Sequence, residues 1–202
     1  MNKLIIIGAG GHGRVIADIA YLNGYRDIAF LDDADIETSG GFPVVGKVSD
    51  FEKYSGSDFV VAFGDNMFRE RITRNICEYG LKLITLIHPR AVLARDVVVG
   101  KGTVIMAGAV VNTGTIIGDG SIINTCSSVD HDCVIGAYSH IAVGAHVAGE
   151  VKVGDRVFIG AGGVVIHDIK ICDDTVVGAG AVVVKNVLKK GVYVGVPATL
   201  IK

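Results

Sequence analysis

Long apolar runs are missing from this sequence of 202 residues, although half of the residues are hydrophobic. The apolar stretches are short and broken by glycine or charge, and none approaches the length of a membrane span. Residues 1–8 lead straight into an expected strand and a glycine turn, so no signal peptide is indicated. The sequence predicts a cytoplasmic protein with a sizeable core, built as one domain or two small ones.

The sequence also has few cysteines and no large excess of one charge sign. The four cysteines, Cys77, Cys126, Cys133 and Cys172, show no metal-binding spacing, and a chain of this length needs no disulfide scaffold. Reduced thiols and no bound metal are therefore expected. The net charge of −2 argues against a nucleic-acid-binding protein. Neither a membrane nor a nucleic acid is an expected partner.

The sequence does contain a repeat of six residues. From Ile87 onward the first residue of each hexad is aliphatic, 17 times in 17. These residues are Ile87, Leu93, Val99, Ile105, Val111, Ile117, Ile123, Val129, Ile135, Ile141, Val147, Val153, Ile159, Val165, Ile171, Val177 and Val183. Because six residues cannot bury their own apolar face, the units must stack. With three walls per coil, they predict a parallel β-helix of about five and two-thirds coils.

Over the first 86 residues, short buried strands alternate with helices, among them a short strand at 42–46, a strand at 59–63 and a helix at 68–79. This alternation predicts a parallel α/β sheet. The stretch from Gly8 to Gly13 fits G-x-G-x-x-G between a strand and a helix, and Asp32 ends the next strand. This context favours a nucleotide phosphate at the helix N-terminus, whereas the alternative is a glycine turn that binds nothing. The expected domains are residues 1–86, Rossmann-like and sized for a mononucleotide derivative, and residues 87–202, the β-helix.

Together the two halves resemble one family of bacterial enzymes. A Gly-Ala-Gly-Gly-His-Gly loop precedes the uninterrupted hexapeptide helix, and residues 124–140 carry the most specific stretch. The sequence is similar to the bacillosamine-pathway 4-amino-sugar N-acetyltransferases, the perosamine N-acetyltransferases and the sialic acid O-acetyltransferases. The resemblance implies a left-handed β-helix, an acetyl-CoA-dependent sugar acetyltransferase for surface glycans or glycoproteins, and a homotrimer with its sites between subunits.

The resemblance also implies the site residues. His131 corresponds to the catalytic base, and Asp132 raises its basicity. Many family members have Glu-His-Glu where this chain has Asp130-His131-Asp132, with a carboxylate one methylene shorter. By the resemblance, acetyl-CoA contacts His140. Gly149, Ala161 and Ala179 are further expected coenzyme contacts. The nucleotide sugar is expected to contact Gly10, Gly11, His12, Asp32, Asp33 and Gly64.

The chemistry of these residues agrees with such a role. Imidazole can take a proton near neutral pH from an amine or hydroxyl that attacks a thioester. His131 is third in its hexad and should face outward, where a nearby carboxylate would raise its pKa. One coil above it lies Gly149. This predicts an open slot beside the base for a pantetheine arm, with the Gly149 N–H facing the thioester oxygen.

The leading hypothesis is N-acetylation of a nucleotide-linked 4-amino-4,6-dideoxy sugar. The expected nucleotide is UDP. The alternative is O-acetylation of sialic acid or a related sugar, and the motif does not separate the two. A trimeric zinc-dependent hydratase would need a stoichiometric metal, and the histidines lack the spacing expected for it. A non-catalytic nucleotide-sugar sensor would show no turnover.

Overall fold

The computed structural model describes residues 2–202. It divides into two compact units, the first ending at Pro89 and the second running from Arg90 to Lys202. The sequence places this boundary after residue 86, three residues earlier. Within the described residues, no helix has both the length and the apolar character needed to cross a bilayer.

The first unit is an α/β structure, as predicted. Its strands are β1 Leu4–Ile7, β2 Ile28–Leu31, β3 Thr38–Ser39, β4 Phe42–Pro43, β5 Asp58–Val61, β6 Lys82–Leu83 and β7 Leu86–Ile87. Its helices are α1 Gly11–Leu22, α2 Asn66–Glu78 and a 3-10 helix, Val48–Tyr54. A parallel sheet has the order β2–β1–β5–β6, and every residue of β1, β2 and β5 is buried. Strand β1 is therefore an inner strand of the sheet, and the glycine loop begins at its carboxyl end.

Two boundaries differ from the sequence expectation for local reasons. Helix α2 begins at Asn66 rather than Phe68, because the Asp65 carboxylate accepts the Phe68 N–H at 2.7 Å and caps the helix. Strand β5 begins at Asp58 rather than Phe59. The Asp58 carboxylate is buried there because it accepts a hydrogen bond from Tyr25 Oη at 2.7 Å and pairs with Lys82 Nζ at 2.8 Å.

The second unit is the predicted β-helix, in which two-residue strands recur every six residues from Val92 to Val183, followed by two strands outside this period. The strands are β8 Val92–Leu93, β9 Val98–Val99, β10 Val104–Ile105, β11 Val110–Val111, β12 Ile116–Ile117, β13 Ile122–Ile123, β14 Ser128–Val129, β15 Val134–Ile135, β16 His140–Ile141, β17 His146–Val147, β18 Lys152–Val153, β19 Phe158–Ile159, β20 Val164–Val165, β21 Lys170–Ile171, β22 Val176–Val177, β23 Val182–Val183, β24 Val192–Val194 and β25 Thr199–Leu200. Parallel partners lie 18 residues apart, for example Val111 and Val129.

The strands form three walls. The first wall contains β10, β13, β16, β19, β22 and β24, with β25 paired antiparallel to β24. The second wall contains β8, β11, β14, β17, β20 and β23, and the third contains β9, β12, β15, β18 and β21. The inward aliphatic residues from Ile105 to Val183 are at most 3% exposed. The combination of a small parallel α/β domain with a parallel β-helix confirms the predicted fold class.

The turns between walls impose a second rule, at the fourth residue of the hexad. From Gly102 to Gly180 this residue adopts a left-handed conformation, with φ between 55° and 71°. Half of these positions are not glycine: Cys126, Asp132, Tyr138, Glu150, Arg156, Asp168 and Asp174. The turn therefore accepts side chains, and the sequence pattern did not reveal this position.

Candidate active site

His131 and Asp132 form a hydrogen-bonded pair at the corner that follows β14. His131 Nδ1 lies 2.9 Å from Asp132 Oδ2, and the two side chains are 49% and 63% exposed. Asp132 has a φ of 57°, so it occupies the left-handed turn position. This conformation directs the carboxylate back to the preceding residue, and the shorter acid therefore reaches the imidazole.

The surroundings strengthen His131 as a base. The hydrogen bond from its ring to Asp132 is the main cause that raises the pKa of His131, and the charges of Asp130, Asp132 and Glu150 add to it. In the neutral ring, Nδ1–H donates to Asp132, which leaves the lone pair on Nε2. The arrangement presents Nε2 as the atom that can accept a proton.

The second acid of the motif, Asp130, does not bind the imidazole ring. Its Oδ1 accepts the backbone N–H of His131 at 2.9 Å and the side-chain amide of Asn112 at 2.7 Å. The Asn112 hydrogen bond is the main cause that lowers the pKa of Asp130. Asp130 therefore stays ionised, fixes the backbone of the base and contributes negative charge beside it.

The open slot predicted above His131 is occupied by the imidazole itself. A Cβ built on Gly149 would lie 2.5 Å from His131 Nε2 and 2.6 Å from Cε1, so the ring lies directly over this glycine. The slot prediction is wrong because it treated the His131 side chain as pointing straight out. The Gly149 N–H donates to no protein acceptor within residues 2–202.

His140 lies on a different side of the β-helix from His131. It belongs to β16 in the first wall, whereas His131 lies at the corner between the second and third walls. The residue is 8% exposed, its Nε2 lies 2.9 Å from Asn124 Nδ2, and its ring meets that of Phe158 edge to face at 5.1 Å. The structure thus does not bring the two histidines together within one chain.

The remaining expected coenzyme contacts occupy a third location. Ala161 and Ala179 follow β19 and β22, at the corner between the first and second walls, and both are exposed. Among the described residues no group of three His, Cys, Asp or Glu side chains could hold a metal ion.

In the first unit, His12 lies in the first turn of α1 as a neutral imidazole. Burial, assisted by the positive charge of Arg69, lowers the pKa of His12 to about 4. Its Nε2 is buried and makes no hydrogen bond within the described part of the chain. Gly10 and Gly64 have open space where a Cβ would lie, so the loops carrying them could approach a ligand closely.

Asp32 was expected to contact the nucleotide sugar, but in the structure its carboxylate binds two backbone N–H groups. Its Oδ2 accepts the Ala9 N–H at 2.7 Å, and its Oδ1 accepts the Ala34 N–H at 2.8 Å. Both carboxylate oxygens are thus already bonded to backbone. Asp33 Oδ1 accepts the Val48 N–H at 3.0 Å and caps the 3-10 helix.

Replacing Asp33 by alanine is expected to affect both stability and acceptor binding. The Val48 N–H would lose its partner, at a cost of about 1 kcal/mol in the free energy of unfolding. The KM for the acceptor should rise, while the KM for acetyl-CoA stays nearly constant. Asp33→Asn is the matched control, because it keeps a capping oxygen and removes only the charge. Equal losses for both substrates would show that Asp33 serves the fold alone.

Sequence reasoning missed three polar residues near these sites. Ser39, on the β3–β4 hairpin where a single short strand was expected, donates from Oγ to the Ala9 carbonyl at 2.6 Å. Asn112 and Asn124 hold Asp130 and His140. Asn112 lies 18 residues before Asp130, so the 18-residue repeat was a signal that could have found it.

A hexapeptide β-helix with an outward histidine–aspartate pair, preceded by a small α/β domain with a glycine loop, defines the class of hexapeptide-repeat acyltransferases. Residues 3–76 match the family described as the PglD N-terminal domain. The chain is 31% identical to GDP-perosamine N-acetyltransferase from Escherichia coli O157:H7 over 163 residues, 75% of this chain and 72% of that protein. It belongs to the PglD-like family of sugar acetyltransferases.

Two further similarities come from a sequence and a solved structure. UDP-N-acetylbacillosamine N-acetyltransferase from Bacillus subtilis is 33% identical over 121 residues, which cover 53% of this chain and about half, 52%, of that protein. The acetyltransferase domain of PglB from Neisseria gonorrhoeae, solved in complex with acetyl coenzyme A, has a TM-score of 0.96 and 40% identity over 99% of both chains.

Proposed function

We propose that the protein transfers the acetyl group of acetyl-CoA to the 4-amino group of a nucleotide-linked 4-amino-4,6-dideoxy sugar. The observation that carries this proposal is the His131–Asp132 pair. The His131 ring is exposed, its pKa is raised, and its Nε2 can accept a proton. The names of the relatives support an amino sugar linked to UDP or GDP, and the PglB structure supports acetyl-CoA as the donor. UDP is the nucleotide that we propose.

In the proposed reaction, the neutral sugar amine attacks the thioester carbonyl and His131 Nε2 takes the amine proton. The new N–C bond forms, the C–S bond breaks, and coenzyme A leaves as a thiolate that regains a proton. Asp132 stabilises the imidazolium that forms in between. The His131 ring lies over Gly149, and in this proposal the N–H of Gly149, which donates to no backbone acceptor, would donate to the developing oxyanion.

The acceptor is proposed to bind through its nucleotide to the first unit. Gly10, Gly11 and Gly64 would admit it closely, and His12 would offer its unpartnered Nε2. Because the pKa of His12 is about 4, this ring is neutral at physiological pH and binds by hydrogen bonding rather than by charge. Asp33 would contact the nucleotide sugar, with Asp32 holding the loop.

The site is proposed to be shared between subunits of a trimer. His131 at one corner cannot meet the coenzyme residues His140, Ala161 and Ala179 on other sides of the same β-helix. The third wall also exposes an apolar column, in which Val98, Ile116 and Val134 are 56%, 47% and 40% exposed. A neighbouring subunit against this wall would cover the column and supply the missing contacts. An active monomer in light scattering at assay concentration would contradict this arrangement.

The proposed activity is tested by following acetyl-CoA consumption with a UDP-linked 4-amino-4,6-dideoxy sugar. GDP-perosamine and free sialic acid serve as comparison acceptors. We expect turnover with nucleotide-linked amino sugars and none with sialic acid. Faster acetylation of sialic acid would instead support the O-acetyltransferase alternative, and binding without turnover would support a sensor. Release of the thiol of coenzyme A reports each reaction directly.

A further inference from the structure

We propose that Gly114 is a positioning residue for the catalytic pair, because its missing side chain leaves the space in which the Asp132 carboxylate lies. A Cβ built on Gly114 would collide with Asp132 Oδ1. The two residues are neighbours one coil apart, since the Asp132 N–H donates to the Thr113 carbonyl at 2.9 Å. The inference rests on the proposed role of His131 and extends it to a residue in the preceding coil.

The conformation of the turn does not by itself require a glycine here. Gly114 has a φ of 71°, but seven other residues with side chains adopt the same left-handed conformation at equivalent positions. Gly144 occupies the equivalent position elsewhere, with a φ of 62° and open space where its Cβ would lie. Gly114 differs from Gly144 in what lies above it, which is the carboxylate of the pair.

The turn that carries Gly114 is held in place from below by two hydrogen bonds to one carboxylate oxygen. Asp96 Oδ2 accepts the Gly114 N–H at 3.0 Å and the Thr113 Oγ1–H at 2.8 Å. The Thr113 hydrogen bond is the main cause that lowers the pKa of Asp96, so this carboxylate remains ionised. A methyl group at residue 114 would therefore displace the exposed Asp132 carboxylate rather than the turn.

Displacing that carboxylate would change the base in a defined direction. The hydrogen bond to Asp132 is the main cause of the raised pKa of His131, and the charges of Asp130 and Glu150 remain when it is lost. The pKa of His131 should fall toward its ordinary value. A less basic imidazole reaches its neutral form at lower pH but takes up a proton less effectively.

The test compares Gly114→Ala with Gly144→Ala, because both put a methyl group on the same left-handed turn position. We expect Gly114→Ala to move the acid limb of the kcat/KM profile to lower pH. Its plateau should fall by about 10-fold, a part of the 10²- to 10⁴-fold that general base catalysis contributes. Gly144→Ala should leave the midpoint unchanged. Equal profiles of the two variants would assign Gly114 to the turn alone and overturn the proposal.

A double variant shows whether the effect passes through Asp132. Asp132→Ala removes the carboxylate, so adding Gly114→Ala should change the pH profile no further. If Gly114→Ala alone fails to fold, the double variant should still fold with the profile of Asp132→Ala. A double variant that also fails to fold would place the collision elsewhere and overturn the proposal.

A substrate-free readout separates this inference from the proposed function. Titration of the His131 ring by NMR, assigned with His131→Ala, gives its pKa in the wild type and in both glycine variants. We expect a lower value only in Gly114→Ala. A wild-type protein that acetylates no amino sugar would refute the proposed function. An unchanged titration in Gly114→Ala would refute the positioning role.

Discussion

Replacing His131 by alanine is expected to lower kcat by about 10²- to 10⁴-fold, because the sugar amine would lose its general base. The KM for acetyl-CoA should change little, since the coenzyme contacts are assigned to other residues. The melting temperature should also change little, because the His131 side chain is about half exposed. Asp132→Asn should cost less than His131→Ala, because the base itself remains. Steady-state kinetics and a thermal melt measure all three quantities.

The chain offers a matched control in His167. The dipeptide His167–Asp168 repeats the pair two coils further on, and Asp168 has a φ of 56°, close to that of Asp132. Nonetheless no hydrogen bond or ion pair joins these two side chains in the described residues, in contrast to the 2.9 Å contact of His131 with Asp132. His167→Ala should therefore keep a kcat near the wild-type value. A His131→Ala enzyme with near-normal kcat at pH 7 would refute the assignment of the base.

The pH dependence should distinguish His131→Ala from the wild type. The raised pKa of His131 places the acid limb of the wild-type profile above the ordinary histidine value of about 6.5. Below that limb the imidazole is protonated and cannot accept a proton, so activity falls with falling pH. In His131→Ala this limb should disappear, and the residual rate should rise with pH as more of the sugar amine loses its proton unaided.

The β-helix could be predicted from the sequence because each hexad repeats the same physical requirement. An inward aliphatic residue every six positions specifies stacking coils, and the residues from Ile105 to Val183 are buried as that pattern indicates. Helix ends were less predictable, because the Asp65 cap of α2 is a single side-chain hydrogen bond. The β3–β4 hairpin follows from the antiparallel pairing of four residues, which gives no periodic signal.

The site could be predicted only as far as the residue types and their columns. His131 and Asp132 were recognisable, but the reach of the shorter acid depends on the left-handed conformation of Asp132. The sequence also could not show that the His131 ring turns over Gly149 and fills the expected slot. Likewise, the carboxylate of Asp32 is bonded to backbone through both oxygens, which is a matter of side-chain orientation and not of spacing.

Replacing Gly149 by alanine is expected to lower kcat by on the order of 10²-fold, as a displacement of about 1 Å at a reacting group can do. The added methyl group would lie 2.5 Å from His131 Nε2, so the imidazole must leave its position over this residue. Gly149 does not have a positive φ, and alanine therefore fits the backbone without strain. The melting temperature should be kept while the rate is lost.

This substitution also separates two roles that one residue could combine. Alanine retains the backbone N–H, so a proposed donor to the thioester oxygen survives and only the imidazole is displaced. If displacement is the whole effect, Gly149→Ala should cost nothing further in a His131→Ala background, where the methyl group has room. A further loss in the double variant would mean that residue 149 acts on the coenzyme itself. A single variant with wild-type kcat would show that the base works from another position of its ring.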